Sequence, residues 1–177
     1  KTNLRYHETN MVWTLFCAEE ELIGDVIVSY GDIVYSRDIL RKLINSNSDI
    51  SVTIDKDWEK YWSARNENPL DDAETLKLSK DGKILEIGNK PNSIDEIDGQ
   101  YMGLIKFSSI GIEQIKNVFQ KALVTGELVG NSLENSYMTD LLQAAINAGY
   151  PVQSVPISGG WIEVDTVDDL ESAITKD

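Results

Sequence analysis

The stretch GDVIVSYGDIVYSRDIL, residues 24–40, contains the start of the fold in one line of sequence. Residues 25–30 form a nearly continuous β-branched run, which is typical of a strand that is buried on both faces. Gly31 lets the backbone turn and lets a ligand approach it closely. Ser36 is a good N-cap for a following helix. The pattern predicts a strand, a turn and a helix, with Asp32 directly after the strand.

Strands and helices alternate along the rest of the chain. Because a helix separates residues 25–30 from a second strand at 50–55, we expect these two strands to pair in parallel through a right-handed crossover. The fold class is therefore α/β: a layered, Rossmann-like, mostly parallel mixed sheet with flanking helices and one hairpin. The length of 177 residues suits one domain, residues 1–177. Other elements are predicted as helices at 11–21, 110–123, 137–150 and 166–175, a hairpin at 75–89 and strands at 99–108, 151–158 and 161–166.

The amino-acid composition of the chain argues against some classes of binding partner and favours others. The formal net charge is −14, which argues against a basic surface for nucleic acid. An acidic protein that handles phosphates needs a local cation, and a divalent metal ion is the usual one. The single cysteine, Cys17, cannot form an internal disulfide. No apolar run is long enough to cross a membrane, so we expect no membrane partner and a cytoplasmic location.

Three carboxylates are candidate ligands. Asp32 follows a buried strand, and open parallel sheets bind ligands beyond the carboxyl ends of their strands. Glu163 and Asp165 stand two residues apart on a predicted strand, so their side chains share a face and repel unless a cation lies between them. Mg²⁺ prefers such oxygens. The alternatives are that Asp32 caps a turn or helix and that the other two acids form a solvated edge.

The segment DWEKYWSAR, residues 57–65, places three aromatic residues on one helical face: Trp58, Tyr61 and Trp62. Such rings can contain a cationic head group or stack on a sugar. The alternative is that they pack the segment onto the sheet. Tyr137 is a further aromatic candidate. His7 is the only histidine, so neither a Ser–His–Asp triad nor a zinc site can be assembled.

Three blocks of the sequence together resemble one family: NLRYHETNMVWTLFCA at 3–18, VIVSYGDIVY at 26–35 and GGWIEVDTVDDLESA at 159–173. In order and spacing they are similar to the nucleotidyltransferases that activate sugar 1-phosphates and small phospho-alcohols, above all phosphocholine and aminoethylphosphonate cytidylyltransferases. The glycine-rich phosphate loop that opens this family is not found in the sequence. The resemblance therefore implies a nucleotidyltransferase (GT-A-like) fold of which residues 1–177 supply the acceptor and metal half.

The resemblance also implies residue roles. Asp32, Glu163 and Asp165 match metal ligands, and Asp32 and Asp165 are the catalytic candidates. Asn10 matches an asparagine of the active cleft, and Tyr30 belongs to the same block as Asp32. Trp62 and Tyr137 look similar to the aromatic residues around a cationic acceptor. The candidate substrate-binding residues are thus Asn10, Tyr30, Trp58, Tyr61, Trp62 and Tyr137.

The implied activity is a Mg²⁺-dependent transfer of a nucleotidyl group. The donor is a nucleoside triphosphate, with CTP favoured, and the acceptor is a small phosphate or phosphonate such as phosphocholine, aminoethylphosphonate or a sugar 1-phosphate. Pyrophosphate is released, and because the acceptor oxygen is already anionic, no general-base histidine is required. Two alternatives stay open: a truncated, non-catalytic binding module, and a glycosyltransferase of related fold, although Ser29-Tyr30-Gly31-Asp32 lacks the Asp-x-Asp pattern of that class.

Overall fold

The computed structural model describes residues 1–65, 68, 70, 71 and 73–174. Its helices and strands alternate along the chain, as the sequence predicts. The helices are α1 (Met11–Phe16), α2 (Arg37–Ile44), α3 (Trp58–Arg65), α4 (Ser109–Thr125), α5 (Met138–Asn147) and α6 (Val167–Ile174). The strands are β1 (Val26–Ser29), β2 (Ile33–Tyr35), β3 (Ile50–Asp55), β4 (Leu76–Leu78), β5 (Ile84–Ile87), β6 (Gln100–Phe107), β7 (Glu127–Leu128), β8 (Asn131–Ser132), β9 (Val152–Ile157) and β10 (Trp161–Glu163).

The central sheet has four strands in the order β1-β6-β3-β9. Strand β6 runs antiparallel to both of its neighbours, whereas β3 and β9 are parallel. Three of the four strands therefore run in one direction, which confirms the mostly parallel mixed sheet. The expected direct pairing of residues 25–30 with 50–55 is wrong, because β6 lies between β1 and β3. Strand β9 is an edge strand, which suits Pro156 because proline cannot donate to a further neighbour.

Helices cover both faces of this sheet. One buried cluster joins Val52, Ile105 and Phe107 of the sheet to helices α4 and α5. A second cluster joins Leu104 and Val155 to α2 and α3 and to β10. The alternation of β6 side chains between the two clusters follows from the strand period of two. The layered α/β architecture is thus confirmed.

Most predicted elements occur where the sequence places them. The hairpin forms as β4 and β5. Helix α6 begins after Thr166, whose hydroxyl accepts a hydrogen bond from the Asp169 N–H at 3.1 Å. Three local features differ. The predicted helix 11–21 ends at Phe16, Ser36 makes no side-chain capping bond, and the short strands β2, β7 and β8 were not predicted. Within the described ranges, no helix has the length and apolar character needed to cross a membrane.

Candidate functional site

The segments that carry the three candidate acids lie side by side. Strand β2, which follows Asp32, pairs antiparallel with β10, and Ile33 stands opposite Glu163. One step further along this ladder, the Val164 N–H donates to the backbone oxygen of Asp32 at 2.9 Å. The two blocks, which are more than a hundred residues apart in sequence, therefore meet through backbone hydrogen bonds.

The acidic side chains themselves do not form a ready three-ligand centre. Asp32 and Asp165 are exposed, and Glu163 is partly buried. Because residues directly opposite on a ladder point to the same face, the Glu163 side chain shares the face of Ile33. Among the described residues, no group of three or more acidic, histidine or cysteine side chains could hold a metal ion. The three-carboxylate metal site stays a prediction.

Tyr30 lies next to these acids. Its hydroxyl donates to the sulfur of Met11 at 2.9 Å, and its ring meets that of Tyr101 edge-on, with 5.6 Å between the centroids. Burial raises the pKa of the Tyr30 hydroxyl well above its usual value. Negative charge acts in the same direction, from Glu74, Asp32 and Glu163. The negative charges of Asp32 and Glu163 therefore both act on the Tyr30 hydroxyl.

Gly103 provides the space for the Tyr30 ring. Its φ is +82°, and a Cβ at this position would lie 2.7 Å from two atoms of that ring. It also stands at the irregularity in the pairing of β6 with β3, between the partners of Val52 and Ile54. A bulge that turns the backbone in this way is a common device beside functional sites. The position of Tyr30 thus depends on the absence of a side chain at Gly103.

A cavity of about 340 Å³ lies beside Tyr30. Asn10 and Tyr30 both line it, so the structure brings together two of the predicted substrate-binding residues. Asn10 is held by its N–H, which donates to the Glu134 carbonyl at 2.7 Å. The other lining residues are mostly apolar and include Leu15, Val28 and Met138.

Two of the remaining aromatic candidates, Trp58 and Trp62, are not placed as the sequence suggested. Trp58 and Trp62 are only 4% and 6% exposed and belong to the second core cluster, so they do not form an open wall. This corrects the expectation of a ring cage in this segment, since the packing alternative holds for both. Tyr137 is 50% exposed and precedes Met138, which lines the cavity. The side chain of Tyr61 lies outside the described residues.

Sequence reasoning missed Asp55, which ends β3 and is 1% exposed. One oxygen of its carboxylate accepts hydrogen bonds from the N–H groups of Asp57 at 2.9 Å and Gly159 at 3.0 Å. The other accepts from the indole N–H of Trp161 at 2.8 Å. The signal was present in ISVTID, because the strand-end rule that selected Asp32 applies equally to Asp55.

The fold and this arrangement define a class. The chain superimposes on the inositol-1-phosphate CTP transferase from T. maritima with a TM-score of 0.67 and 17% identity, covering 97% of this chain and 62% of that one. It superimposes on a CTP:phosphocholine cytidylyltransferase from Streptococcus pneumoniae with a TM-score of 0.66 and 18% identity, covering 97% and 65%. The chain spans less than two thirds of the length of either structure. The shared fold is that of the nucleotidyltransferases.

Sequence identity then gives the family. The chain is 44% identical over 181 residues to the CTP:phosphoglutamine cytidylyltransferase of Campylobacter jejuni. The match covers 98% of this chain and 71% of that protein. No family model matches the chain. The chain belongs to the nucleotidyltransferase family, and the relatives named here are cytidylyltransferases.

Proposed function

We propose that the protein transfers a cytidylyl group from CTP to a small phosphorylated acceptor and releases pyrophosphate. The observation that carries this proposal is the 44% identity to a CTP:phosphoglutamine cytidylyltransferase over 98% of the chain. An acceptor oxygen attacks the α-phosphorus in line, the new P–O bond forms, and the bond between the α-phosphorus and the bridging oxygen breaks. Because the nucleophile is already anionic, the chain has only to position the groups and balance their charge.

Mg²⁺ is part of this proposal, as a neutraliser of the phosphate charge. The three acids do not form a site on their own, but Mg²⁺ commonly takes only one or two protein carboxylates and fills its other positions with phosphate and water oxygens. Asp32 and Glu163 would supply such oxygens, with Asp165 as the third candidate. Glu163 stands opposite Ile33, the residue after Asp32, which supports the closeness of the two segments that carry these acids.

The acceptor is a small phosphorylated molecule, and phosphoglutamine is the first choice. Burial of Trp58 and Trp62 removes the reason to prefer a quaternary ammonium head group. The cavity beside Asn10 and Tyr30 is the proposed place for the non-phosphate part of a substrate, since both residues are candidate substrate-binding residues and line it. Its apolar walls favour a compact organic group over a highly hydroxylated one.

Pyrophosphate release tests this function in the full-length gene product. CTP is supplied with Mg²⁺ and, in turn, phosphoglutamine, phosphocholine, 2-aminoethylphosphonate and glucose 1-phosphate. We expect CTP-dependent release with at least one acceptor and its loss when EDTA removes the metal ion. Binding of CTP and acceptors without any release would support the non-catalytic alternative instead.

The variant Asp32→Asn tests the role of the acid. We expect kcat to fall about 100-fold, the scale of losing one group that stabilises charge in a transition state. The matched control is Asp38→Asn, because the Asp38 side chain is 81% exposed and pairs with Arg41 on α2, outside the site. An unchanged kcat in Asp32→Asn would remove this residue from the mechanism.

A further inference from the structure

We propose that Asp55 is a positioning residue for the candidate site: its buried carboxylate fixes the loop before β10 and thereby sets the place of Glu163 and Asp165 beside Asp32. This inference rests on the function proposed above. Asp55 does not belong to the group of candidate ligands, because its oxygens are already occupied by N–H donors. Its effect on the reaction would be indirect.

The contacts of Asp55 join three parts of the chain. Asp57 lies just after β3, Gly159 lies in the loop between β9 and β10, and Trp161 is the first residue of β10. Three N–H donors stabilise the charge of this buried carboxylate. Such an arrangement holds its partners within hydrogen-bond distance of one point.

Two glycines make the loop before β10 dependent on its hydrogen bonds. Gly159 and Gly160 both have positive φ, 63° and 81°, and neither has a side chain that could anchor the loop by packing. A further backbone contact of the loop comes from the Ser36 N–H, which donates to the Gly160 carbonyl at 3.0 Å. Without Asp55 the peptide at Gly159 would lose its partner, and glycine would allow it many alternative conformations.

The loop before β10 directly determines the position of the segment that carries Glu163 and Asp165. Trp161 is 6% exposed, and its ring lies 6.2 Å from that of Trp62. Strand β10 then continues for only two more residues, to Glu163. The next residue, Val164, donates to the backbone oxygen of Asp32. A shift at Trp161 therefore moves one or both acid-bearing segments, because no long element lies between them to absorb it.

A purely stabilising Asp55 would behave differently from a positioning one. Loss of a purely stabilising contact lowers the free energy of unfolding but leaves the folded fraction of molecules fully active. Replacement of residues that orient metal ligands by hydrogen bonding commonly lowers metal affinity or activity by 10- to 100-fold. The two roles are thus separated by measuring activity under conditions in which every variant is folded.

The test compares Asp55→Asn with Asp49→Asn in the full-length protein. Asp49 directly precedes β3 at its opposite end and accepts a hydrogen bond from the Ser108 hydroxyl at 2.6 Å. Urea titrations first measure the stability of both variants, so that a temperature at which both are folded can be chosen. Cytidylyl transfer is then measured over a range of Mg²⁺ concentrations. We expect kcat/KM to fall roughly 10- to 100-fold in Asp55→Asn, with a higher Mg²⁺ requirement, and to stay within about twofold of the parent in Asp49→Asn.

A second readout does not depend on activity. In amide NMR spectra, Asp55→Asn is expected to shift the signals of Val164 and Asp165 as well as those of Gly159 and the Trp161 indole. Folded Asp55→Asn with normal kcat/KM, or equal losses in both variants, would overturn the inference. If the parent protein releases no pyrophosphate, the proposed function fails by itself. Unchanged Val164 and Asp165 signals would then reject the positioning role separately.

Discussion

The end of β3 and the turn after β1 each carry an aspartate, but the two acids have opposite surroundings. Asp55 is 1% exposed and accepts three N–H hydrogen bonds. Asp32 is exposed, and its contact with β10 is made by its backbone oxygen, so its carboxylate faces solvent. An acid at a strand end is thus a structural anchor where the chain returns donors to it. Where the returning chain contacts the backbone of the acid, as β10 does at Asp32, the carboxylate is available to a ligand.

The largest expected difference between the two ends is in stability. Asp55→Ala would remove the acceptor of the buried Trp161 indole N–H and of the Asp57 and Gly159 N–H groups, and we expect the free energy of unfolding to fall by about 3 kcal/mol. Asp32→Ala should change it by less than about 0.5 kcal/mol, as exposed substitutions usually do. Urea denaturation of both variants at neutral pH measures the two values. Similar losses would abolish the distinction between anchor and available acid.

The support of Tyr30 is the next feature to test, since it belongs to the exposed strand end. Gly103→Ala adds a Cβ that would lie 2.7 Å from the Tyr30 ring, at a φ of +82°. We expect a loss of about 2 kcal/mol, from the strained backbone together with the contact. The matched control is Gly126→Ala, whose φ is +77° and whose Cβ would have no atom within 4 Å.

Thermal or urea unfolding of the Gly103 and Gly126 variants separates the two causes. Backbone strain is common to both, so the excess loss in Gly103→Ala reports the contact with Tyr30. Equal losses in the two variants would mean that the ring can move aside without cost.

The smallest expected effect concerns alkaline stability. Burial raises the pKa of Tyr30 above its ordinary value of 10.0, so the folded protein keeps this proton while the unfolded chain releases it. The contribution of Tyr30 to the free energy of unfolding is therefore constant below about pH 10 and decreases as the pH rises above it. Tyr30→Phe should lose stability less steeply between pH 9 and 11 than the parent does.

Tyr6→Phe is the control for this pH dependence, because Tyr6 is 76% exposed. Urea midpoints across the same pH range should follow the parent in Tyr6→Phe. Tyr101 contributes a second raised pKa, caused first by its burial, so part of the alkaline loss will persist in Tyr30→Phe. An identical slope in Tyr30→Phe and the parent would contradict the assigned environment of Tyr30.

Local signals in the sequence predicted most of the elements but not the order of the strands in the sheet. The run ISVTID predicted a strand at 50–55, and β3 has those bounds, because an apolar β-branched run is a strong local pattern. Nothing in the segment between residues 30 and 50 indicated that β6, half a chain away, would lie between β1 and β3. Strand order is decided by long-range packing, which short-range periodicity does not record.

The candidate site was predicted in part for the same reason. Asn10 and Tyr30 were expected in one cleft and line one cavity. Trp58 and Trp62 were candidates for a binding surface because their rings share one helical face, yet both belong to the second core cluster. Asp55 was overlooked because its donors, Gly159 and Trp161, lie 104 and 106 residues further along the chain.

That separation in sequence has a consequence for synthesis on the ribosome. A nascent chain that has emerged as far as β9 already contains every strand of the central sheet, but the carboxylate at the end of β3 still lacks the donors of Gly159 and Trp161. An emerging polypeptide of this length would hold an unsatisfied acid at the edge of its interior. Emergence of the segment from Gly159 to Glu163 therefore supplies the missing donors and brings β10 to β2 in the same event.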